Sequence, residues 1–265
     1  MKAISLSELN REALLRELNT DNGYLVANIS MPDYQHILTL ITEQYLHVLQ
    51  MVCPHKVKQF HAEPINQYHK IYQPEDFDHA STWSKNARLL GPSAVKSMLS
   101  GAIGTQLNRL FGDYLLADEE NMGWPGIYWR LVRPGNTDIG SVHADKWFWD
   151  LGHGDMPTGY TRVKLWMSVC TVLGSSGLQV VPHSQHSDDW KYHGEWRNGM
   201  QKPVLDEDLQ SLNLVSVETQ PGDCIIFHDK LLHGGMINSS DETRVSLEFT
   251  ILTPIQEFVT LGLKQ

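Results

Sequence analysis

At 265 residues, with 41% apolar and 20% charged side chains, the chain suits one domain with a sizeable core. A formal net charge of −10 repels phosphate backbones and anionic headgroups, which disfavours a nucleic-acid or membrane-surface partner. No stretch approaches the ~20 apolar residues of a membrane span, and the N-terminal segment lacks an apolar signal core. Cys53, Cys170 and Cys224 fall in no CxxC spacing and read as buried thiols, so a cytoplasmic setting is expected.

In chain order, residues 6–19 are expected to form an amphipathic helix capped by Ser5 or Ser7, with Leu6, Leu9, Leu14, Leu15 and Leu18 on one face. Asn22-Gly23 turns into a short strand, Tyr24–Ala27, and Pro32-Asp33 opens a second helix to about residue 51. Residues 53–82 have weak periodicity and read as loop. A third helix is expected from Ser93 to Phe111. From residue 113 the texture changes to short β-branched or alternating runs at 113–117, 126–133, 160–173, 177–181, 214–218, 222–228 and 244–252. Turns such as Arg133-Pro134-Gly135-Asn136 and Gln220-Pro221-Gly222-Asp223 separate them. The expectation is a single domain over 1–265: helical support over 1–112, then an antiparallel barrel over 113–255. Residues 185–212 are long for a connection and are expected to form a lid.

Within the strands, Ser141-Val142-His143-Ala144-Asp145 sets an imidazole and a carboxylate two residues apart, on one face if the segment is extended. His233 emerges from the apolar run 222–232 beside Gly234-Gly235, where backbone can approach closely; His228 is the rival in the same run. Two histidines and one carboxylate can cap one face of an octahedron and leave the other face open, the arrangement of non-haem Fe(II) oxygenases. Arg244, eleven residues after His233 and with Ser246 on the same strand face, offers a guanidinium fork and a hydroxyl for a distal carboxylate. Trp147, Phe148 and Trp149 follow Asp145, so at least one is expected to line a pocket. Lys146 and Lys164 would suit an anionic substrate.

These motifs resemble the phytanoyl-CoA dioxygenase family of Fe(II)/2-oxoglutarate oxygenases. The resemblance rests on His143-Ala144-Asp145, Gly177-Leu178-Gln179-Val180-Val181-Pro182, the Pro-Gly-Asp turn leading to His233, and Arg244-Val245-Ser246. It covers residues 126–252 closely. It implies a mainly β fold with flanking helices, a double-stranded β-helix (jelly-roll, cupin-like), with Fe(II) on His143, Asp145 and His233. It also implies 2-oxoglutarate on Arg244 and Ser246, with O2 as oxidant. Arg130, upstream of the iron motif, and Trp149, like a family tryptophan after the metal motif, are implied near the co-substrate. Gln179 and His183 are implied near a small-molecule substrate, with Trp147, Lys146 and Lys164. One departure stands out: Pro182-His183-Ser184-Gln185-His186 replaces the family's Pro-Gly-Ser-His. A carboxylate at 145 argues against a halogenase, so hydroxylation is the expected outcome. Two rivals are weighed: a demethylase-like oxygenase anchoring 2-oxoglutarate on Lys164, and a non-catalytic or other-metal cupin-like binding module. The second lacks the usual HxH motif here.

Overall fold

The computed structural model describes residues 3–197, 200–255 and 258. Strand β1 (Ile4–Ser5) pairs parallel with β2 (Tyr24–Asn28), so Ser5 is engaged in a ladder. Helix α1 therefore starts later, at Arg11–Asn19. Its cap is Asn10 rather than Ser5 or Ser7, and the Asn10 side chain accepts the Ala13 N–H at 3.1 Å. Helix α2 (Met31–Val52) is capped by Ser30, with Pro32 in its first turn.

The segment expected as loop holds three short helices, α3 (Val57–Ala62), α4 (Tyr68–Ile71) and α5 (His79–Thr82). Periodicity misses them because an aromatic cluster organises them. Tyr68 stacks between Phe60 and Tyr72 at 5.9 and 5.3 Å, and Tyr45 stacks on Trp83 at 5.6 Å. The expected third helix is two, α6 (Pro92–Leu99) and α7 (Ala102–Phe111), broken at Ser100-Gly101. Gly104 permits their approach: a Cβ there would lie 1.9 Å from the Leu99 carbonyl oxygen.

Then follow β3 (Leu115–Leu116), β4 (Ile127–Val132), α8 (Asp145–Asp150), β5 (Tyr160–Cys170) and β6 (Leu178–Val180). After them come β7 (Tyr192–Arg197), β8 (Met200–Leu205), β9 (Val215–Val217), β10 (Asp223–His228), β11 (His233–Gly235) and β12 (Arg244–Pro254). Among the described residues the larger sheet runs β1-β2-β10-β5-β12-β3, with β4 also on β12; the smaller runs β11-β6-β9.

Alternation on β12 explains the layering. Val245, Leu247, Phe249 and Ile251 join the core made with Leu15, Ile41, Leu49, Leu107 and Phe111, which puts the N-terminal helices on that face. Arg244, Ser246, Glu248 and Thr250 face the other way. There Val26, Trp166, Ile225 and Phe227 of the larger sheet meet Leu178, Val180 and Val217 of the smaller. Two facing sheets with helices outside make the double-stranded β-helix, although the sheets do not close into a continuous barrel.

The excursion at 185–212 contains the hairpin β7–β8. Tyr192 stacks on Trp147 at 4.5 Å, and the His153 ring nitrogen Nε2 donates to the Gln201 carbonyl at 2.7 Å, which fastens the hairpin beside α8. Residues 198–199 of the expected lid, and 1–2, 256–257 and 259–265 of the expected single domain, lie outside the described residues. No helix among the described residues is long and apolar enough to cross a membrane.

Candidate metal centre

His143 and His233 face each other in an antiparallel bridge, each N–H donating to the other's carbonyl at 2.9 Å. Each ring is tied off behind by its own chain. His143 Nδ1 donates to the Ser141 carbonyl at 2.7 Å, and His233 Nδ1 to the Leu231 carbonyl at 3.0 Å. A carbonyl can only accept, so both imidazoles carry their proton on Nδ1 and present a bare Nε2 lone pair. Those Nε2 atoms lie 3.8 and 3.6 Å from the two carboxylate oxygens of Asp145. Asp145 does not share a strand face with His143, as alternation would have it. Ala144 is the extended cap of α8, and Asp145 is the helix's first residue. Its carboxylate thus comes from a helix start, and all three ligand atoms lie within 4.8 Å of one another.

The donor set fits a divalent cation. Asp145 Oδ2 is buried with no hydrogen-bond partner among the described residues, an arrangement that costs free energy unless something else supplies positive charge. Burial opposes ionisation of Asp145, yet the Lys164 ammonium holds the carboxyl far below the ordinary carboxylate range. Burial pulls His233 down to about 4, which keeps Nε2 free for a metal near neutral pH. Phe148 sets its ring edge-to-face against His143 at 5.1 Å, and Phe227 lies 4.6 Å from the His233 ring. His228 is engaged elsewhere, accepting the Lys230 N–H at 3.1 Å and facing Asp229.

The space between the sheets carries an unusual density of charge. Lys164 sits 3.8 Å from Asp145 and 3.6 Å from Glu119, and donates to Thr250 at 3.2 Å. Glu248 lies 3.4 Å from Arg130; burial opposes its charge, but Arg130 and then Lys164 bring it down to about 2. Arg244 is 3% exposed. Its Nη1 donates to the carbonyls of Gly177 and Met236 at 2.5 and 3.4 Å, and its Nε is without a partner among the described residues. Burial and then Arg130 lower its pKa to about 9, so it is still a cation at neutral pH, in a place where an anion would be welcome. Ser246 pairs with Arg130 across the ladder and is buried on the same strand face as Arg244. The glycines after His233 make this packing possible. A Cβ on Gly234 would meet Val142 at 3.2 Å, and one on Gly235 would crowd Ile139 and the Arg244 guanidinium.

Other expected site residues lie elsewhere. Trp147 turns to the outer side of α8, among Val142, Ala144, Val181 and Leu232. Lys146 pairs with Asp150 at 2.6 Å, and both line an outer cleft of about 180 Å³ with Trp147, Trp190, Tyr192 and Lys230. Trp149 lies under the Arg162 guanidinium at 4.9 Å and against Gly154. Gln179 faces away from the space between the sheets, since its neighbours Leu178 and Val180 point into it. His183 is also outside: exposed, stacked on His186, and donating from Nδ1 to the Asp21 carbonyl at 2.9 Å. It adopts φ +67°, ψ 0°, left-handed backbone that glycine takes without strain, so the turn survives the loss of the family's glycine. The next residue keeps a structural task, because Ser184 Oγ accepts the Leu232 N–H at 2.8 Å, one residue before His233.

Facing sheets, outer helices and a two-histidine, one-carboxylate cluster at one end define the class of non-haem iron oxygenases built on a double-stranded β-helix. The family profile described as "Phytanoyl-CoA dioxygenase (PhyH)" matches residues 45–246. The chain belongs to that family, and it is a non-haem, Fe(II)- and 2-oxoglutarate-dependent oxygenase. No curated protein sequence matches it closely enough to add to this. Among solved structures, SnoK, a non-heme alpha-ketoglutarate-dependent carbocyclase from nogalamycin biosynthesis, is 14% identical with a TM-score of 0.54, covering 96% of this chain and 87% of that one. The epimerase SnoN, solved with Fe3+, alpha-ketoglutarate and nogalamycin RO, is 15% identical with a TM-score of 0.54, covering 92% and 83%. EvdO2 from Micromonospora carbonacea var. aurantiaca is 12% identical with a TM-score of 0.57, covering 96% and 94%. At such identities these likenesses concern the fold.

Sequence reasoning named Phe148 with its two tryptophan neighbours but not its contact with His143, and it overlooked the partly buried carboxylates Glu119 and Glu248 and the Arg162–Asp229 pair. Of the overlooked residues only Glu248 left a signal. It continues the period-two series from Arg244 and Ser246 on a strand otherwise apolar at odd positions.

Proposed function

We propose that His143, Asp145 and His233 hold ferrous ion, that Arg244 with Ser246 anchors the distal carboxylate of 2-oxoglutarate, and that the enzyme hydroxylates a small polar natural-product intermediate. The observation that carries this reading is the convergence of two bare Nε2 atoms on a buried carboxylate whose Oδ2 has no other partner among the described residues. When bound, iron with 2-oxoglutarate and O2 supplies the oxidising chemistry. The chain's own side chains do the rest. The Ser141 and Leu231 carbonyls fix the imidazole tautomers and orientations, Lys164 keeps Asp145 ionised, and Phe148 and Phe227 shield the rings from water. Arg244 meets an anion with a desolvated charge already in place.

The substrate class is supported by the polar lining of Tyr128, Arg130, Lys164 and Glu248 between the sheets, and by neighbours described as acting in nogalamycin biosynthesis. The β7–β8 hairpin, fastened to the helix that starts with Asp145, serves as the lid of one cytoplasmic domain. The Lys164-anchored reading is weakened because that ammonium already faces Asp145 and Glu119.

The test measures succinate formed under Fe(II) and 2-oxoglutarate across a panel of polycyclic and sugar-bearing intermediates. Arg244→Ala is expected to weaken 2-oxoglutarate binding by roughly 30-fold or more, the scale of truncating one partner of a buried charged pair. Lys164→Ala is expected to leave 2-oxoglutarate affinity within a few-fold of the wild type. The opposite assignment of the two effects would overturn the anchor, and no 2-oxoglutarate turnover with any member of the panel would overturn the substrate class.

A further inference from the structure

A second cluster of metal-ligating side chains stands in the helical layer, apart from the iron-site triad. Cys53 closes α2, its N–H donating to the Leu49 carbonyl, with its sulfur buried. Two residues on, exposed His55 turns its ring over that sulfur, with Nε2 3.7 Å from Sγ. The same Nε2 lies 3.7 Å from Oδ1 of Asp76, whose side chain is nearly buried in the turn after α4. Sulfur, nitrogen and oxygen all lie within 4.8 Å of one another. The carboxylate is held by its other oxygen: Oδ2 accepts from Lys56 Nζ at 2.7 Å and from the Gln73 N–H at 3.0 Å. Oδ1 is thereby aimed at the imidazole. Among the described residues only this group and the triad have such a ligand set.

We infer that Cys53, His55 and Asp76 form a second metal site, selective for a thiophilic divalent cation of the zinc type, with solvent in the fourth position. Bond lengths of ~2.3 Å to sulfur and ~2.0 Å to nitrogen or oxygen give tetrahedral edges of roughly 3.5 and 3.3 Å. The two edges at Nε2 need to close by only a few tenths of an ångström, and exposed His55 is free to make that movement. Thiolate with imidazole and one carboxylate suits Zn(II), whereas an oxygen-rich set would suit magnesium or calcium. A single Lys56 ammonium on the far carboxylate oxygen leaves the donor facing the cation untouched. Bound there, a cation staples the end of α2 to the turn at 73–76 and closes the loop between them.

Cobalt(II) distinguishes the two centres, because only the second contains sulfur. Titration of the full chain with Co(II) is expected to saturate two equivalents, one of them giving a thiolate-to-cobalt charge-transfer band. Cys53→Ser should lose that band and one equivalent; His233→Ala should lose the other equivalent and keep the band. His55→Ala, at an exposed position that leaves packing intact, should weaken the band-forming equivalent at least tenfold. In the His233→Ala background, Zn(II) at 100 times its Kd should raise Tm by roughly 5 °C or more, an effect absent from His233→Ala/Cys53→Ser. A missing band, a band that survives Cys53→Ser, or a sulfur-site equivalent that fails to saturate below millimolar metal would each overturn the site.

Discussion

Removing the charge of Arg162 probes how two separated pieces of chain are held in register around the proposed metal site. Arg162 Nε and Nη2 donate to Asp229 Oδ2 at 2.8 and 2.7 Å, and its guanidinium lies 4.9 Å from the Trp149 ring centre. Trp149 belongs to α8, which starts with Asp145. Asp229 belongs to the turn between β10 and His233, and its carbonyl accepts the Lys146 N–H at 2.9 Å. One side chain of β5 therefore fastens the carboxylate-bearing helix to the turn that delivers the second histidine. Arg162→Met keeps the apolar stem and leaves a 5% exposed carboxylate facing only His228 among the described side chains. Breaking a buried pair from one side costs ~3–5 kcal/mol, and the lost cation–π contact adds ~0.5–1 kcal/mol. Uptake of a proton by the stranded carboxylate limits the cost, so the expected loss is about 3–4 kcal/mol. For a chain of this size that corresponds to a urea midpoint lower by about 1 M. Fe(II) affinity, read by calorimetry under anaerobic conditions, should fall with it. Arg162→Met/Asp229→Leu should recover most of the stability, because apolar replacement of both partners removes the stranded charge. It should not recover the iron affinity. A midpoint shift below about 0.2 M in urea, or full iron affinity in either variant, would refute the coupling.

Two further perturbations test the scaffold. Gly104→Ala should destabilise by about 2–3 kcal/mol despite the ~1 kcal/mol that alanine gains in a helix, because its Cβ would meet the Leu99 carbonyl oxygen at 1.9 Å; a higher urea midpoint would show that α6 and α7 do not meet this closely. His79 is 7% exposed, with Nδ1 3.0 Å from the Tyr68 hydroxyl, and burial lowers its pKa to about 4 although Asp138 pulls the other way. Its ordinary pKa is ~6.5, so between that value and about 4 the unfolded chain binds the extra proton. The stability it contributes is present above that window and is lost as pH falls through it, on the order of 1–2 kcal/mol after solvent screening. Urea midpoints from pH 7 to 4 should decline more steeply for the wild type than for His79→Gln, and parallel profiles would contradict this origin.

Much of the fold and of the site's chemistry was legible without coordinates. Alternation on 244–252 placed Arg244 and Ser246 on one face because side chains on a strand point alternately by geometry alone. The Gly-Asp turn and the apolar run before His233 are local signals of the same kind. Elements without their own period were not legible. The helices between 57 and 82 owe their shape to Tyr45, Phe60, Tyr68, Tyr72 and Trp83, which meet only once α2 has folded against them. The split of the third helix turns on a contact between Gly104 and Leu99 that no propensity records.

Residue type and order determined that this chain has two imidazoles, a carboxylate and a strand-borne guanidinium at intervals suited to iron and a diacid. Tertiary structure alone decided which aromatic after Asp145 meets the proposed metal ligands. Helix α8 starts at Asp145, so Trp147, Phe148 and Trp149 fan out at helical angles: Phe148 reaches His143, Trp147 turns outward to Tyr192, and Trp149 lies under Arg162. It also decided that Lys164, Glu119, Glu248 and Arg130 share one desolvated space with Asp145. Direction along a strand or helix is local, whereas proximity between side chains a hundred residues apart depends on how the sheets pair and face.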